Sequence, residues 1–254
     1  MNVFKQLIKS IHSPKHIAAF RFQGIGKTIL YIFLLSFLSV IPRVIELTSF
    51  STDAINDVQD ALEHNIPSFT IKDGKLESES KEPIIIEKPD MTIVFDSTGD
   101  TEAKDMEEEE KSIAFLKDSI VVNLMGSVEW SYSMIGAEDI TKDQALSTVN
   151  MMDSLKWIFL PVAMISVYLF SSAVMFLKIM IFALIATAFA TAMQKRVNYR
   201  QGFRITAYAA TLSTLFFAIM ELLKTPVPAA PFVDWFVITV IIYLSVKEIP
   251  QRKA

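Results

Sequence analysis

Residues 155–193 read LKWIFLPVAMISVYLFSSAVMFLKIMIFALIATAFATAM, and the fold turns on whether this run is one helix or two. As a single α-helix its 39 residues measure about 58 Å at roughly 1.5 Å per residue. About 20 apolar residues are enough to cross a hydrocarbon core of roughly 30 Å. A hairpin of two crossings needs a turn, yet the central LFSSAVMFLKIM (169–180) contains no Gly, Pro, Asn or Asp to make one. The preferred reading is one long helix, tilted or bent, with ends that extend beyond the bilayer. Five crossings, with a hairpin here, is the alternative.

Three further segments are long and apolar enough to cross. They are 28–47, TILYIFLLSFLSVIPRVIEL, then 203–223 and 227–246. Lys and Arg in short flanks stay on the cytoplasmic side. Residues 1–27 carry five of them (Lys5, Lys9, Lys15, Arg21, Lys27) and no acid. The stretch KRVNYRQGFR at 195–204 carries Lys195, Arg196, Arg200 and Arg204, and the C-terminus carries Lys247, Arg252 and Lys253. Four crossings satisfy all three flanks at once, whereas a hairpin at 155–193 would move the 195–204 cluster outside. The expected fold is therefore an α-helical membrane protein, a four-helix transmembrane bundle with a small extracytoplasmic α+β domain inserted between spans 1 and 2. Residues 1–27 form a cytoplasmic amphipathic segment, 28–47 span 1, 48–154 the outer domain, and 155–254 spans 2–4 with a basic loop at 194–204 and a cytoplasmic tail.

Composition agrees. The 254 residues are 52% hydrophobic with a mean hydropathy of +0.38. The net charge of −4 conceals blocks of opposite sign, because residues 48–154 hold 24 Asp/Glu against 8 Lys. Charge segregated between apolar runs marks a membrane protein rather than a nucleic-acid binder. There is no cysteine, which excludes disulfides, thiolate metal sites and a Cys nucleophile. The apolar run near Thr28 follows a long basic lead without a small-x-small cleavage site, so it reads as a retained anchor. In MNVFKQLIKSI, Phe4, Leu7, Ile8 and Ile11 share a helical face away from Lys5 and Lys9. That pattern predicts an amphipathic helix on the inner leaflet, ended at Ser13-Pro14.

The outer segment begins with SFSTDAINDVQDALEHNIP, where Ile55, Val58 and Leu62 have helical spacing before Pro67. SFTIKDGKL has Asp73-Gly74 between β-rich flanks, a hairpin signal. EPIIIEKPDMTIVFDSTG holds two β-branched runs separated by Lys88-Pro89-Asp90, and SIAFLKDSIVVNL resumes strand character. A few antiparallel strands are expected, with the acidic TEAKDMEEEEKS as an exposed helix or loop.

Within this segment, DSTG at 96–99 resembles both the Asp-Thr-Gly of aspartic proteases and the phosphorylated Asp of ion pumps. A protease site needs two carboxylates sharing one proton, and the chain supplies one such motif. Pump phosphorylation needs ATP, while Asp96 is expected outside. A turn is the simpler reading, since Asp and Thr bond local amides and Gly accepts positive φ. GIGKT at 24–28 ends like a phosphate-binding loop, but Arg21 stands where the first Gly belongs.

Charges inside apolar runs are functional candidates by default. Lys178 lies near the expected outer boundary, where its stem can also snorkel. Glu221, Lys224 and Asp234 gather at the outer ends of spans three and four, as a polar lid or simply among headgroups. Arg200 and Arg204 record the positive-inside rule and contact with anionic lipid, with a cytoplasmic partner as the alternative. His12, His16 and His64 are scattered, and no zinc, nucleophile-elbow or dinucleotide motif occurs. No catalytic residue, metal or cofactor is expected.

The stretches MNVFKQLIKSIHSPKHIAAFRFQGIGKTILYIFLLSFLSVIP and KRVNYRQGFRITAYAATLSTLFFAI resemble a family of Bacillus-type bacterial membrane proteins of unknown function. The resemblance takes in IPSFTIKDGKL and FDSTG. Some of its members are labelled maltodextrin-utilisation proteins, which implies an envelope role beside a sugar transporter. No functional residue comes with it.

Three functions are compatible with these residues. The first is a non-enzymatic membrane protein whose outer domain binds a protein partner or envelope component. The second is a small transporter or permease component with a polar path near Lys178. The third is a membrane enzyme using Asp96. The expected partners are the lipid bilayer and a membrane transporter or envelope protein, with no nucleic acid.

Overall fold

The computed structural model describes residues 2–107, 109, 111–123, 126–134, 136 and 139–251. Glu108 and Glu110 of the acidic run, Leu124, and the C-terminal Arg252 and Lys253 lie outside the described residues. The chain forms two compact units, Met1–Glu46 with Val162–Ala254, and Leu47–Pro161.

Four helices are long and apolar enough to cross a membrane. Helix α1 is Val3–His12 and α2 is Pro14–Phe20, with Pro14 at the start where its missing N–H costs nothing. Helix α3 runs Ile25–Asp60, α4 Lys142–Ala192, α5 Tyr199–Leu222 and α6 Ala230–Lys247. The 155–193 run lies in one uninterrupted helix as far as Ala192. Helix α4 continues through its one proline, Pro161, although an interior proline removes a helix hydrogen bond. Helix α3 also outruns expectation, passing through Pro42 without stopping. Between Thr48 and Asp60 no Gly or Pro interrupts it, and the chain leaves through one π-helical turn, Ala61–Asn65. Helix α5 starts cleanly, with Asn198 and Gln201 forming a reciprocal capping box.

In the first unit, α5 is the most enclosed of the four long helices. Ile205, Ala207, Tyr208, Ala209 and Ala210 are all fully buried. Ala186 and Thr187 of α4 lie against Gly202, where the missing side chain allows a close approach of the two helices. A Cβ at Gly202 would lie 2.9 Å from the Ala183 carbonyl oxygen. Small residues at such a crossing are what membrane helices use to bring backbones together. Trp157 of the second unit, and Phe170, Leu184, Phe232 and Phe236 of the first, are exposed, as suits helices whose solvent is lipid.

In the second unit, β1 (Phe69–Lys72) and β2 (Lys75–Ser78) form the expected hairpin. Asp73 and Gly74 both have positive φ, 51° and 74°, as a two-residue type I′ turn requires. Strand β8 (Ile140–Thr141) completes a three-stranded sheet in the order β2-β1-β8. The larger sheet has the order β3-β4-β5-β6-β7, from β3 (Ile84–Glu87), β4 (Thr92–Phe95), β5 (Ser112–Phe115), β6 (Ser119–Asn123) and β7 (Ser127–Ser131). The expectation of antiparallel strands fails at one ladder, since β4 and β5 are parallel. Parallel neighbours need a long crossover, and residues 96–111 supply it.

Strand alternation separates two cores. Ile93 and Phe95 join Leu62, Ile66, Phe69 and Tyr132 on one side. Val94 joins Met106, Ala114 and Val121 on the other. The acidic crossover is thus not wholly solvated, because Met106, in a 3₁₀ turn (Asp105–Glu107), is buried.

Candidate functional site

Lys178 on α4 and Asp234 on α6 are the two candidates that the fold brings together. The Lys178 Nζ lies 3.2 Å from Asp234 Oδ2, and the side chains are 22% and 16% exposed. Ser213 on α5 donates to Asp234 Oδ1. Three helices thus converge on one carboxylate, which sits just past the first turn of α6, in its fifth position. Ser213 was not a sequence candidate, and only its place on a helix of unusual hydroxyl content could have marked it.

The other candidates stand apart from this pair. Glu221 accepts from Arg43 Nε at 3.1 Å, in an exposed pair of the kind that contributes little stability. Among the described residues Lys224 makes no ion pair; it adopts φ of 51° just beyond α5. The expected outer grouping of Glu221, Lys224 and Asp234 therefore resolves into two separate pairings. Arg204 donates from Nη1 to the Arg21 carbonyl at 3.0 Å, which ties α5 to the end of α2, while Arg200 is exposed. Lys195 donates to the Lys247 carbonyl at 3.0 Å and to that of Ile249, satisfying the end of α6.

A second polar group, unanticipated from the sequence, runs through the core of the first unit. Tyr31 and Thr211 share a 2.5 Å hydrogen bond. The rings of Tyr31 and Tyr208 lie 4.3 Å apart, and Tyr208 donates to Gln6 Oε1 at 3.2 Å. Thr206 and Thr214 hydroxyls, the Ser10 hydroxyl and Gln6 Nε2 are buried without a partner among the described residues. The i, i+3 repeat of Tyr208 and Thr211 was the available signal.

Asp96 is a turn. Its Oδ1 accepts from the Thr98 amide at 2.8 Å, the Thr98 hydroxyl at 2.6 Å and the Gly99 amide at 3.2 Å. Its Oδ2 accepts from the Thr101 amide at 2.6 Å. Three donors crowd Oδ1 and one engages Oδ2, so the carboxylate is held in place by the turn that it closes. Burial alone would raise its pKa, but the hydrogen bonds from Thr98 and Thr101 outweigh it and hold the group at about 2. A general base at neutral pH needs the opposite shift. Gly99 has φ of 87°, which the turn requires.

Among the described residues no group of three His, Cys, Asp or Glu side chains could hold a metal ion. His16 bonds the Ser13 hydroxyl, and His64 lies 3.1 Å from Asp60.

No curated protein and no solved structure shows significant similarity to this sequence. A family profile does match, over residues 4–246, nearly the whole chain. The chain thus belongs to the family described as "Protein of unknown function (DUF1189)".

Proposed function

We propose that this chain is a non-enzymatic integral membrane protein of four crossings, with residues 1–27, the 194–204 loop and the C-terminal tail on the cytoplasmic side. On this reading the α+β unit lies outside the bacterial cell membrane and binds a protein partner or envelope component by strand addition. One observation carries the binding role. Two apolar rows cross the five-stranded sheet, Ile93–Ile113–Val122–Val128 and Phe95–Phe115–Ile120–Trp130. Both begin in the core and end on β7, where Val128 and Trp130 are 46% and 38% exposed. Among the described residues no strand pairs with the outer edge of β7.

An added strand would satisfy that edge and extend both apolar rows. The surrounding excess of 24 acids over 8 Lys in residues 48–154 favours an extended segment flanked by Lys or Arg. A second copy of β7 fits less well, since an antiparallel pair centred on Glu129 sets like charges opposite each other. A setting beside a sugar transporter, implied by the maltodextrin label of similar proteins, would make that partner a transporter subunit.

A photo-crosslinking residue at Trp130, in native membranes, should join one reproducible partner that the same residue at Ile85 does not. No adduct at position 130, or the same adducts at both positions, contradicts the proposal.

A second reading, a small transporter or permease component, draws on the contact of Lys178 with Asp234. An unchanged uptake phenotype in Lys178→Leu would remove that support.

A further inference from the structure

Helix α1 presents three stripes, not the two that its sequence pattern implies. Gln6 and Ser10, one turn apart, are 0% and 2% exposed. Val3 and Leu7 pack beside them against the core of the first unit. The docked face is therefore partly polar, and Gln6 is bonded to Tyr208 at 3.2 Å. A second stripe, Phe4, Ile8 and Ile11, is 64%, 58% and 36% exposed. The third is Lys5, Lys9 and His12, for which the described residues provide no acidic partner. At 3.6 residues per turn the apolar and basic stripes lie about 100° apart around the axis. A helix that turns Gln and Ser inward while leaving Phe and two Ile uncovered is inside-out for water.

We propose that α1 is an interfacial helix clamped to α5. Its Phe4–Ile8–Ile11 stripe sits among the acyl chains of a leaflet containing anionic lipid, and its Lys5–Lys9 stripe lies against the lipid phosphates. Charge decides the occupant. Residues 1–27 contain five Lys/Arg and no acid, which matches an anionic headgroup surface. Phe22, Ile25, Ile29 and Leu30 of the same unit are also exposed, so the apolar surface does not stop at α1. A free amphipathic helix would bind and leave the surface with its lipids. This one has a third face fixed to protein, so the fold keeps it at the surface while the charge of the headgroups adjusts how deeply it sits. The inference rests on the chain's being embedded in a membrane and is independent of any partner on β7.

The absence of native cysteine permits a direct test on the full chain. Spin labels are attached to Ile8→Cys, Lys5→Cys and Leu184→Cys variants in vesicles of phosphatidylcholine and phosphatidylglycerol. The label at position 8 should collide with oxygen in preference to a water-soluble nickel chelate, at a depth of about 5–10 Å. The label at position 5 should show the reverse preference. In pure phosphatidylcholine the position 8 label should become about twofold more accessible to nickel, and Lys5→Gln with Lys9→Gln should remove that dependence. Such a shift reflects the electrostatic share of the binding. Phe4→Cys serves as a second reporter should the label at position 8 disturb the helix. Nickel access at positions 4 and 8 while position 184 stays protected overturns the inference. So does efficient thiol crosslinking between the position 8 sites of two copies, which would make a second copy the cover. Nickel access at position 184 as well would mean that the chain is not inserted, and overturns the membrane reading with it.

Discussion

Lys178 and Asp234, 56 residues apart in sequence, meet at 3.2 Å and join α4 to α6 beside Ser213 of α5. Each charge answers the cost of the other, which is how two ionisable groups are tolerated among apolar helices. The sequence reading gave Lys178 a way out to the headgroups; the fold gives it a counter-ion instead.

Replacing one member leaves the other charge enclosed. Lys178→Leu should destabilise the protein by about 3 kcal/mol, the low end for a broken buried pair, because both side chains keep some exposure. Lys178→Leu with Asp234→Leu should recover most of that loss. Thermal unfolding in detergent checks both, and equal losses in the single and double variants would contradict the pairing.

Gly202 has no room for a side chain. Its Cβ would meet the Ala183 carbonyl at 2.9 Å and the Thr187 methyl at 3.2 Å, and a backbone oxygen does not move aside without its helix. Gly202→Ala should cost about 1–3 kcal/mol, as overpacking does, and Gly202→Leu more. A parental melting temperature in Gly202→Ala would count against the close crossing of α4 and α5.

Asp96 carries an acid-dependent contribution with a definite sign. Its folded pKa of about 2 lies below the ordinary 3.8. The stabilisation is therefore complete above about pH 4 and is lost as pH falls through about 2. The shift corresponds to about 2 kcal/mol. Asp96→Asn should lose roughly that at neutral pH and flatten the stability profile between about pH 4 and 2. Amide exchange in residues 92–101 checks this; unchanged protection in the variant would contradict the turn.

Asn123 secures the acidic crossover, donating to the carbonyls of Met106 and Glu109, each at 2.9 Å. Asn123→Ala should cost about 1–2 kcal/mol and speed exchange at residues 105–107, leaving the β1–β2 hairpin protected. Equal loosening of the hairpin would mean that Asn123 supports the whole unit.

What the sequence disclosed follows from how local each signal is. The helices over 155–192 and 203–222 were legible because hydropathy and missing turn residues act within the segment. The Asp73-Gly74 hairpin and the Asp96 turn were legible for the same reason, since their chemistry spans a few residues. The parallel β4–β5 ladder was not, because pairing across a 16-residue crossover leaves no local pattern. Nor was the docked polar face of α1, since Phe4, Leu7, Ile8 and Ile11 satisfy a two-faced reading and only Tyr208, 202 positions away, reveals the third. Among the site residues, Lys178 and Asp234 stood out as charges in apolar runs, but their union depended on a contact between distant helices.

The central claim is that the acid-rich unit faces outward while the basic connection between α4 and α5 faces the cytosol. A cysteine-free chain makes the decisive measurement simple: Glu82→Cys and Arg200→Cys, both at exposed positions, treated in intact cells with a membrane-impermeant maleimide. The account predicts that the thiol at position 82 reacts at once and the thiol at position 200 only after permeabilisation. Protection at position 82 in intact cells, or immediate labelling at position 200, would contradict it.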